Sequence, residues 1–105
     1  MNKFGNVATS YGGVVYASKF EARYARELDL RVKAKDIKKW ESQVKMPIVV
    51  NGKKICTYII DFLIIHNDGK KEYIEVKGMM TSTASLKIKL FRALHPDLIL
   101  TVVRK

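Results

Sequence analysis

The hydrophobic period of this chain changes from four residues to two between residues 35 and 45. Before the change, apolar side chains recur at every fourth position, at Phe20, Tyr24, Leu28 and Val32. This spacing predicts an amphipathic helix over 19–35, with Ser18 as its N-cap and Glu21 three residues later, as in a capping box. The apolar face of this helix must pack against the part of the chain that follows.

After the change, the residues follow the pattern of β-strands. Val, Ile, Tyr, Phe and Thr are frequent in segments that predict strands over 45–50, 53–66 and 71–77. Asn51-Gly52 indicates a type I′ turn between the first two strands, and Asn67-Asp68-Gly69 indicates a second turn. A second helix is predicted over 84–94, ended by Pro96, and a last strand over 98–103.

The predicted order is therefore helix, three-stranded meander, helix, strand. The last helix–strand unit is expected to add a strand parallel to one of the meander, which predicts an α/β fold: a mixed sheet flanked by helices. Upstream, 14–16 is predicted as a short strand after a turn at Tyr11-Gly12-Gly13. The length of 105 residues suggests a single domain. Residues 1–17 would form an N-terminal arm or hairpin, and 18–103 the core.

Composition and charge exclude several classes of protein. The single cysteine, Cys56, excludes an internal disulfide, and it shares no zinc-ligand spacing with His66 or His95. The N-terminal residues contain no apolar run, so the sequence predicts no signal peptide. The apolar run 58–65 is too short to span a bilayer, and we therefore expect a cytoplasmic protein. Lys and Arg total 20 against 10 Asp and Glu, a net charge of +10. This excess indicates nucleic acid as partner ahead of an anionic membrane.

Asp61 interrupts the most apolar segment of the chain, Tyr58-Ile59-Ile60-Asp61-Phe62-Leu63-Ile64-Ile65. A strand that is apolar on both faces is normally buried, and an unpaired buried carboxylate is costly. We therefore expect a partner for Asp61: a cation, a metal ion or several hydrogen-bond donors. The alternative is a carboxylate at the exposed end of the strand, or one paired with a lysine.

Glu75 and Lys77 share one face of the strand predicted over 71–77. If Asn67-Asp68-Gly69 is a three-residue loop with Gly69 in the left-handed conformation, Asp61 lies directly opposite Glu75, with Cβ atoms about 5 Å apart. A two-residue turn would instead place the two carboxylates on opposite faces. Two like charges 4 Å apart repel by roughly 4 kcal/mol at an effective dielectric of about 20, which a divalent cation or Lys77 would relieve.

Glu21 has two alternative roles. It is the capping-box glutamate of the first helix, and it also lies at the edge of the apolar stripe, from where it would reach over the sheet as a third acidic ligand.

The pattern of Asp61, then Glu75-Val76-Lys77, with Glu21 on a preceding helix, resembles that of the PD-(D/E)XK nuclease superfamily. The predicted element order is similar to the αβββαβ restriction-endonuclease-like core of that superfamily, and the resemblance covers 18–103. Ile60 stands where the name-giving proline would be. The run Tyr16-Ala17-Ser18-Lys19-Phe20-Glu21-Ala22 looks like the opening helix of small phage-encoded endonucleases, and Holliday junction resolvases are also similar.

The resemblance implies a role for each motif residue. Asp61, Glu75 and the Val76 carbonyl would bind Mg²⁺ or Mn²⁺, with Glu21 as a direct or outer ligand. Lys77 would orient or activate the attacking water and stabilise charge on the phosphate. Hard oxygen ligands of this kind suit Mg²⁺. The implied activity is metal-dependent endonucleolytic hydrolysis of DNA, at branched or Holliday junction substrates, by a homodimer, in the host cytoplasm if the chain is phage-encoded.

Basic side chains on the two predicted helices are candidate phosphate contacts: Lys19, Arg23, Lys87, Lys89 and Arg92. The alternative for each is a solvated helix face. Two other functions stay open on the sequence. One is a different endonuclease of the same superfamily, acting in nicking, repair or transposition. The other is a basic nucleic-acid-binding module without catalysis.

Overall fold

A computed structural model describes residues 8–104 of the chain. The first seven residues of the predicted N-terminal arm lie outside this range. The elements, in chain order, are β1 Thr9–Tyr11, β2 Val14–Tyr16, α1 Lys19–Lys33, β3 Lys39–Val50, β4 Lys53–Ile65, β5 Lys71–Lys77, α2 Ser82–Leu94 and β6 Ile99–Arg104. β1 and β2 form a hairpin around Gly12-Gly13, both of which have positive φ, as the predicted turn requires.

The main sheet has four strands in the order β3-β4-β5-β6. β3, β4 and β5 are an antiparallel meander, and β6 returns after α2 to lie parallel to β5. The predicted mixed α/β fold and element order are therefore confirmed.

Each face of the sheet has its own core and its own helix. Ala25 and Leu28 of α1 pack with Phe62, Ile64 and Ile74 of the sheet. On the opposite face, α2 packs through a second buried cluster, Ile88 and Phe91 with Tyr58, Ile60, Leu63, Tyr73 and Leu100. Neighbouring residues of β5 thus alternate between two cores, which is why its sequence is almost continuously buried.

The element boundaries differ from the predicted ones by at most two residues, except at the start of β3. α1 ends at Lys33 rather than at residue 35, because Lys35 adopts a left-handed conformation (φ 61°). β3 begins at Lys39, six residues before the predicted start at 45. Its first half alternates exposed charged residues with partly buried Trp40 and Ser42, so few apolar residues mark it as a strand.

The turn between β4 and β5 is the three-residue loop that aligns the two carboxylates. His66 N–H donates to the Lys70 carbonyl (2.8 Å), and Gly69 has a φ of 88°. The paired register runs from Ile65 opposite Lys71 to Phe62 opposite Ile74. One step further along this register, Asp61 lies opposite Glu75, as the three-residue alternative predicted.

The pairing of β4 with β5 ends at Asp61, whereas its pairing with β3 continues. β4 pairs with β5 only over 62–65, whereas it pairs with β3 along nearly its whole length. Beyond Asp61, residues 44–60 therefore form a two-stranded extension of the sheet, which we call the β3–β4 ribbon. The buried side also switches here: Phe62 faces the α1 core, whereas Ile60 faces the α2 core. Gln43, which falls opposite Asp61 in the register, has a φ of 54° and accommodates this switch.

Candidate active site

Asp61 and Glu75 bring two carboxyl groups together where β4 separates from β5. Asp61 Oδ2 accepts a hydrogen bond from Val76 N–H (2.8 Å), and Glu75 is only 2% exposed. Burial, and then the hydrogen bond and negative charge of Glu75, raise the pKa of Asp61 to about 8, while the Val76 N–H bond acts in the opposite direction. The Asp61 carboxyl therefore keeps its proton at pH values where an ordinary aspartate is ionised.

A single oxygen of Glu75 has two further partners. The Tyr58 hydroxyl donates to Glu75 Oε2 (2.5 Å), and Lys77 Nζ lies 3.8 Å from the same oxygen. Burial and the bond to Glu75 raise the pKa of Tyr58, so its hydroxyl stays a proton donor. Lys77 thus pairs with Glu75, and no ion pair links it to Asp61 among the described residues. Sequence reasoning missed Tyr58, because a tyrosine in an Ile-rich strand is typical of ordinary sheet residues.

Glu21 has the capping role that the sequence predicted, and its role as an acidic ligand stays a prediction. The Ser18 hydroxyl accepts from Glu21 N–H (3.2 Å) as an N-cap and donates to Glu21 Oε2 (2.9 Å). Glu21 is buried, and its negative charge contributes to the raised pKa of Asp61. It therefore caps α1 and also adds to the negative field at the carboxyl pair.

The donor set at this site suits a hard divalent cation only in part. The oxygens of Asp61 and Glu75 are ligands that Mg²⁺ prefers, and the cation usually keeps several waters. Within residues 8–104, however, no group of three or more His, Cys, Asp or Glu side chains has the arrangement of a metal site. The roles of Asp61, Glu75, Val76 and Glu21 as ligands stay predictions, with the two carboxylates as the core of the set.

A cleft of about 280 Å³ opens beside the carboxyl pair. Glu75 and Lys77 line it from β5, Thr57 and Tyr58 from the ribbon, and the first turn of α2 with Lys87 from the other side. The N-cap Thr81 accepts from Ala84 N–H (3.1 Å), and the first turn of α2 carries no acidic residue. The positive end of a helix and two lysines make this cleft suited to an anion.

The predicted phosphate contacts are divided among three surfaces, and only Lys87 lines this cleft. Lys89 and Arg92 line a separate groove with Arg104, and Arg92 donates to the Leu100 carbonyl (2.8 Å). Lys19 and Arg23 line a depression between α1 and the β1–β2 hairpin.

His66 and Trp40 have partners away from this site. His66 lies 2.9 Å from Glu72, and Trp40 donates to Asp29 (2.8 Å) while packing against Phe62.

A comparison with protein families gives one match, to the family described as "Protein of unknown function (DUF1064)", and the match spans residues 1–105. The chain belongs to the DUF1064 family. No curated protein and no solved structure matches it significantly. In this DUF1064 chain, neither helix of residues 8–104 is long and apolar enough to cross a membrane. The family description names no activity.

Proposed function

We propose that the chain is a divalent-metal-dependent endonuclease that hydrolyses phosphodiester bonds in DNA. The observation that carries this proposal is the carboxyl pair of partly buried Asp61 and buried Glu75, with Lys77 Nζ 3.8 Å from Glu75. Glu75 and Lys77 line a basic cleft. Although the chain has a net charge of +10, this acidic pair lies next to a cleft that suits an anion.

A purely structural role explains this pair poorly. A buried carboxyl beside a partly buried one costs free energy unless one of them holds a proton, and a hydrophobic pair of similar volume would avoid that cost. Lys77 does not neutralise the pair, because it lies near one oxygen of Glu75 and is itself partly exposed in the cleft. Strained acidic pairs of this kind are typical of functional sites.

Each residue of the site has a role in the proposed chemistry. Asp61, Glu75 and the Val76 carbonyl would hold Mg²⁺ or Mn²⁺, with Glu21 as an outer acid. The bound metal would lower the pKa of its water and stabilise charge on the phosphate. Lys77 adds a positive charge to the cleft beside the scissile phosphate. Lys87 and the start of α2, which line the same cleft, would hold a neighbouring phosphate.

The finer substrate preference is also a proposal and rests on the resemblance to phage-type endonucleases and Holliday junction resolvases. On that basis we infer a branched DNA substrate and a homodimer in which two sites cut two symmetric strands. A nicking, repair or transposition endonuclease of the same superfamily would share the site and differ in the DNA structure that it cuts.

A gel assay on linear, nicked and four-way junction DNA, with Mg²⁺, Mn²⁺ or EDTA, tests the proposal. We expect cleavage only with metal, fastest on the junction. Asp61→Ala and Lys77→Ala should abolish cleavage while DNA binding persists. The matched controls are Asp97→Ala, an exposed acid, and Lys71→Ala, an exposed lysine on the same strand as Lys77. Equal cleavage by Asp61→Ala would reject this site.

One observation favours a second candidate, a nucleic-acid-binding module without catalysis. The described residues contain no cluster of three metal-ligating side chains, while the net charge is +10. This function predicts tight, salt-sensitive DNA binding and no cleavage of any of the three substrates with either metal.

A further inference from the structure

The β3–β4 ribbon has one covered face and one open face. α2 covers the face that carries Ile48, Tyr58 and Ile60, all of which are buried. On the other face, Ile59 is 52% exposed, and Ile55, which falls at the irregularity in the β3–β4 register, is 60% exposed. Since no helix packs on this side of residues 44–60, the described part of the chain leaves an apolar strip in contact with solvent.

The open face is basic as well as apolar. Residues 42–60 contain Lys45, Lys53 and Lys54 and no acidic residue. The register places Lys45 beside Ile59 and Lys54 beside Val49. Strand alternation therefore gives an open ribbon face made of Lys45, Pro47, Val49, Lys54, Thr57 and Ile59.

We propose that this open ribbon face binds double-stranded DNA on one side of the cleavage site, with the lysines on phosphates and the aliphatic side chains in a groove. This inference rests on the proposed function. Charge complementarity supports it, because Lys45 and Lys54 on this face, with Lys53 at the ribbon tip, attract a polyanion, and residues 42–60 contain no acid. The width of a two-stranded ribbon also suits the major groove of duplex DNA.

The ribbon is continuous with the catalytic cleft. Thr57 and Ile59 line the same cleft as Glu75 and Lys77. Lys53, at the tip of the ribbon, is eight residues from Asp61 along β4, which corresponds to roughly 26 Å in an extended strand. At 3.4 Å per nucleotide, the tip would reach about seven or eight base pairs from the cut phosphate.

Two other occupants fit the face less well. A second copy of the chain, docked by the same face, would bring the lysines of both copies together without any acid between them. Single-stranded nucleic acid is normally bound by stacking on aromatic rings, and the only aromatic residue in 42–60, Tyr58, is buried under α2.

The test compares two charge-matched variants for binding to a labelled duplex in EDTA. Lys45→Gln with Lys54→Gln removes two charges from the open ribbon face, and Lys70→Gln with Lys71→Gln removes two exposed charges at the opposite end of β4. We expect the ribbon variant to bind about tenfold more weakly, with little change for the control. The slope of log binding constant against log salt concentration should become shallower by about 0.9 for each phosphate contact that is lost. Ile59→Thr should weaken binding without changing the salt slope.

Footprinting with the Asp61→Asn protein locates the contact. Protection should extend about seven or eight base pairs to one side of the wild-type cleavage position and should shrink when the ribbon lysines are replaced. Equal affinity of the ribbon and control variants, in a wild type that cleaves DNA, would overturn the inference and leave the proposed function intact. A wild type that neither binds nor cleaves DNA would overturn both. Preferential binding of the face to anionic phosphatidylserine vesicles would assign it to a membrane instead.

Discussion

Asp61 is held by two opposing influences. Val76 N–H stabilises the charged form of its carboxyl, whereas burial and the neighbouring Glu75 stabilise the protonated form and prevail, with a pKa of about 8. A metal ion that binds this pair must therefore displace a proton, so its affinity should rise with pH up to about 8. Asp61, the acidic residue that interrupts the most apolar segment of the sequence, is thus a carboxyl whose pKa the fold raises well above its ordinary value.

The first prediction at this scale concerns Asp61→Asn in metal-free protein. Between the ordinary carboxyl pKa of 3.8 and about 8, the folded state keeps a proton that the unfolded state has lost, so the free energy of unfolding should fall as pH rises through this range. Asparagine still accepts from Val76 N–H and carries no charge, so the variant should lack this fall and melt higher at pH 8, by several degrees. Thermal melts in EDTA at pH 5 and pH 8 measure both proteins.

Added Mg²⁺ supplies the control for that prediction. A preformed site gains stability from the ion by mass action, about 2.7 kcal/mol at a hundredfold excess over Kd, and the asparagine variant should lose most of this gain. An Asp61→Asn protein that melts lower in EDTA, beside a wild type indifferent to Mg²⁺, would identify Asp61 as a structural carboxyl.

The second prediction concerns Tyr58, which positions Glu75 through its hydroxyl. Tyr58→Phe removes the donor to Glu75 Oε2 and should raise the Mg²⁺ concentration for half-maximal cleavage about 10- to 100-fold, as for other partners of metal ligands. DNA binding in EDTA should not change. Tyr73→Phe, at another buried tyrosine on the same face of the sheet, is the control. Loss of activity that persists at saturating Mg²⁺ would contradict a positioning role.

At the scale of elements, the decisive feature is the point where β3 and β4 leave the sheet. Gln43 and Asp61 fall opposite each other there, between the pairs Ser42–Phe62 and Val44–Ile60. The buried side of both strands switches at this point, which frees the Asp61 carboxyl from the hydrophobic cores and directs it to Glu75 and Val76 N–H. The site thus depends on a local irregularity in an otherwise regular hairpin.

The third prediction tests that irregularity. A β-branched residue is strained at positive φ, so Gln43→Val should destabilise the fold by about 1–3 kcal/mol. Gln43→Gly, which relieves the same strain, should be close to neutral. Urea denaturation midpoints compare the two variants. Equal stability of the valine and glycine proteins would show that the backbone here is not constrained as described.

At the scale of the whole molecule, the positive charge is spread rather than concentrated. Lys87 lies in the cleft beside Glu75, Lys89, Arg92 and Arg104 line a second groove, and Lys19, Arg23 and Arg26 line a third surface. The molecule extends 41 × 40 × 22 Å, a flat shape with basic residues on both broad sides. Such a distribution favours a ligand that contacts several surfaces at once.

The fourth prediction follows from this distribution. Binding to duplex DNA in EDTA should weaken steeply with salt, with a log–log slope of about −4 or steeper, because each phosphate contact contributes about 0.9. Fluorescence anisotropy between low and physiological salt measures the slope. A nearly flat response would argue against DNA as the partner of this chain.

The sequence by itself determined the order of the main helices and strands and the positions of the turns. Four- and two-residue periods are properties of near neighbours, and glycines with positive φ at Gly12-Gly13, Gly52 and Gly69 impose turn types locally. The three-residue loop ending at Gly69 was one of two alternatives in the sequence, and the hydrogen bonds of His66 and Gly69 select it. With a three-residue loop, the pairing of the two strands places Asp61 opposite Glu75.

Only the tertiary structure decided how these residues act on one another. Tyr58 meets Glu75 from 17 residues away, Glu21 adds its charge from the opposite helix, and α2 buries one ribbon face while leaving the other open. The candidate phosphate contacts, which look alike on two helices, are separated onto different surfaces. The physical reason is that burial and charge proximity depend on residues distant in the chain, and these two effects, rather than residue type, set the pKa of Asp61 and the chemistry of the site.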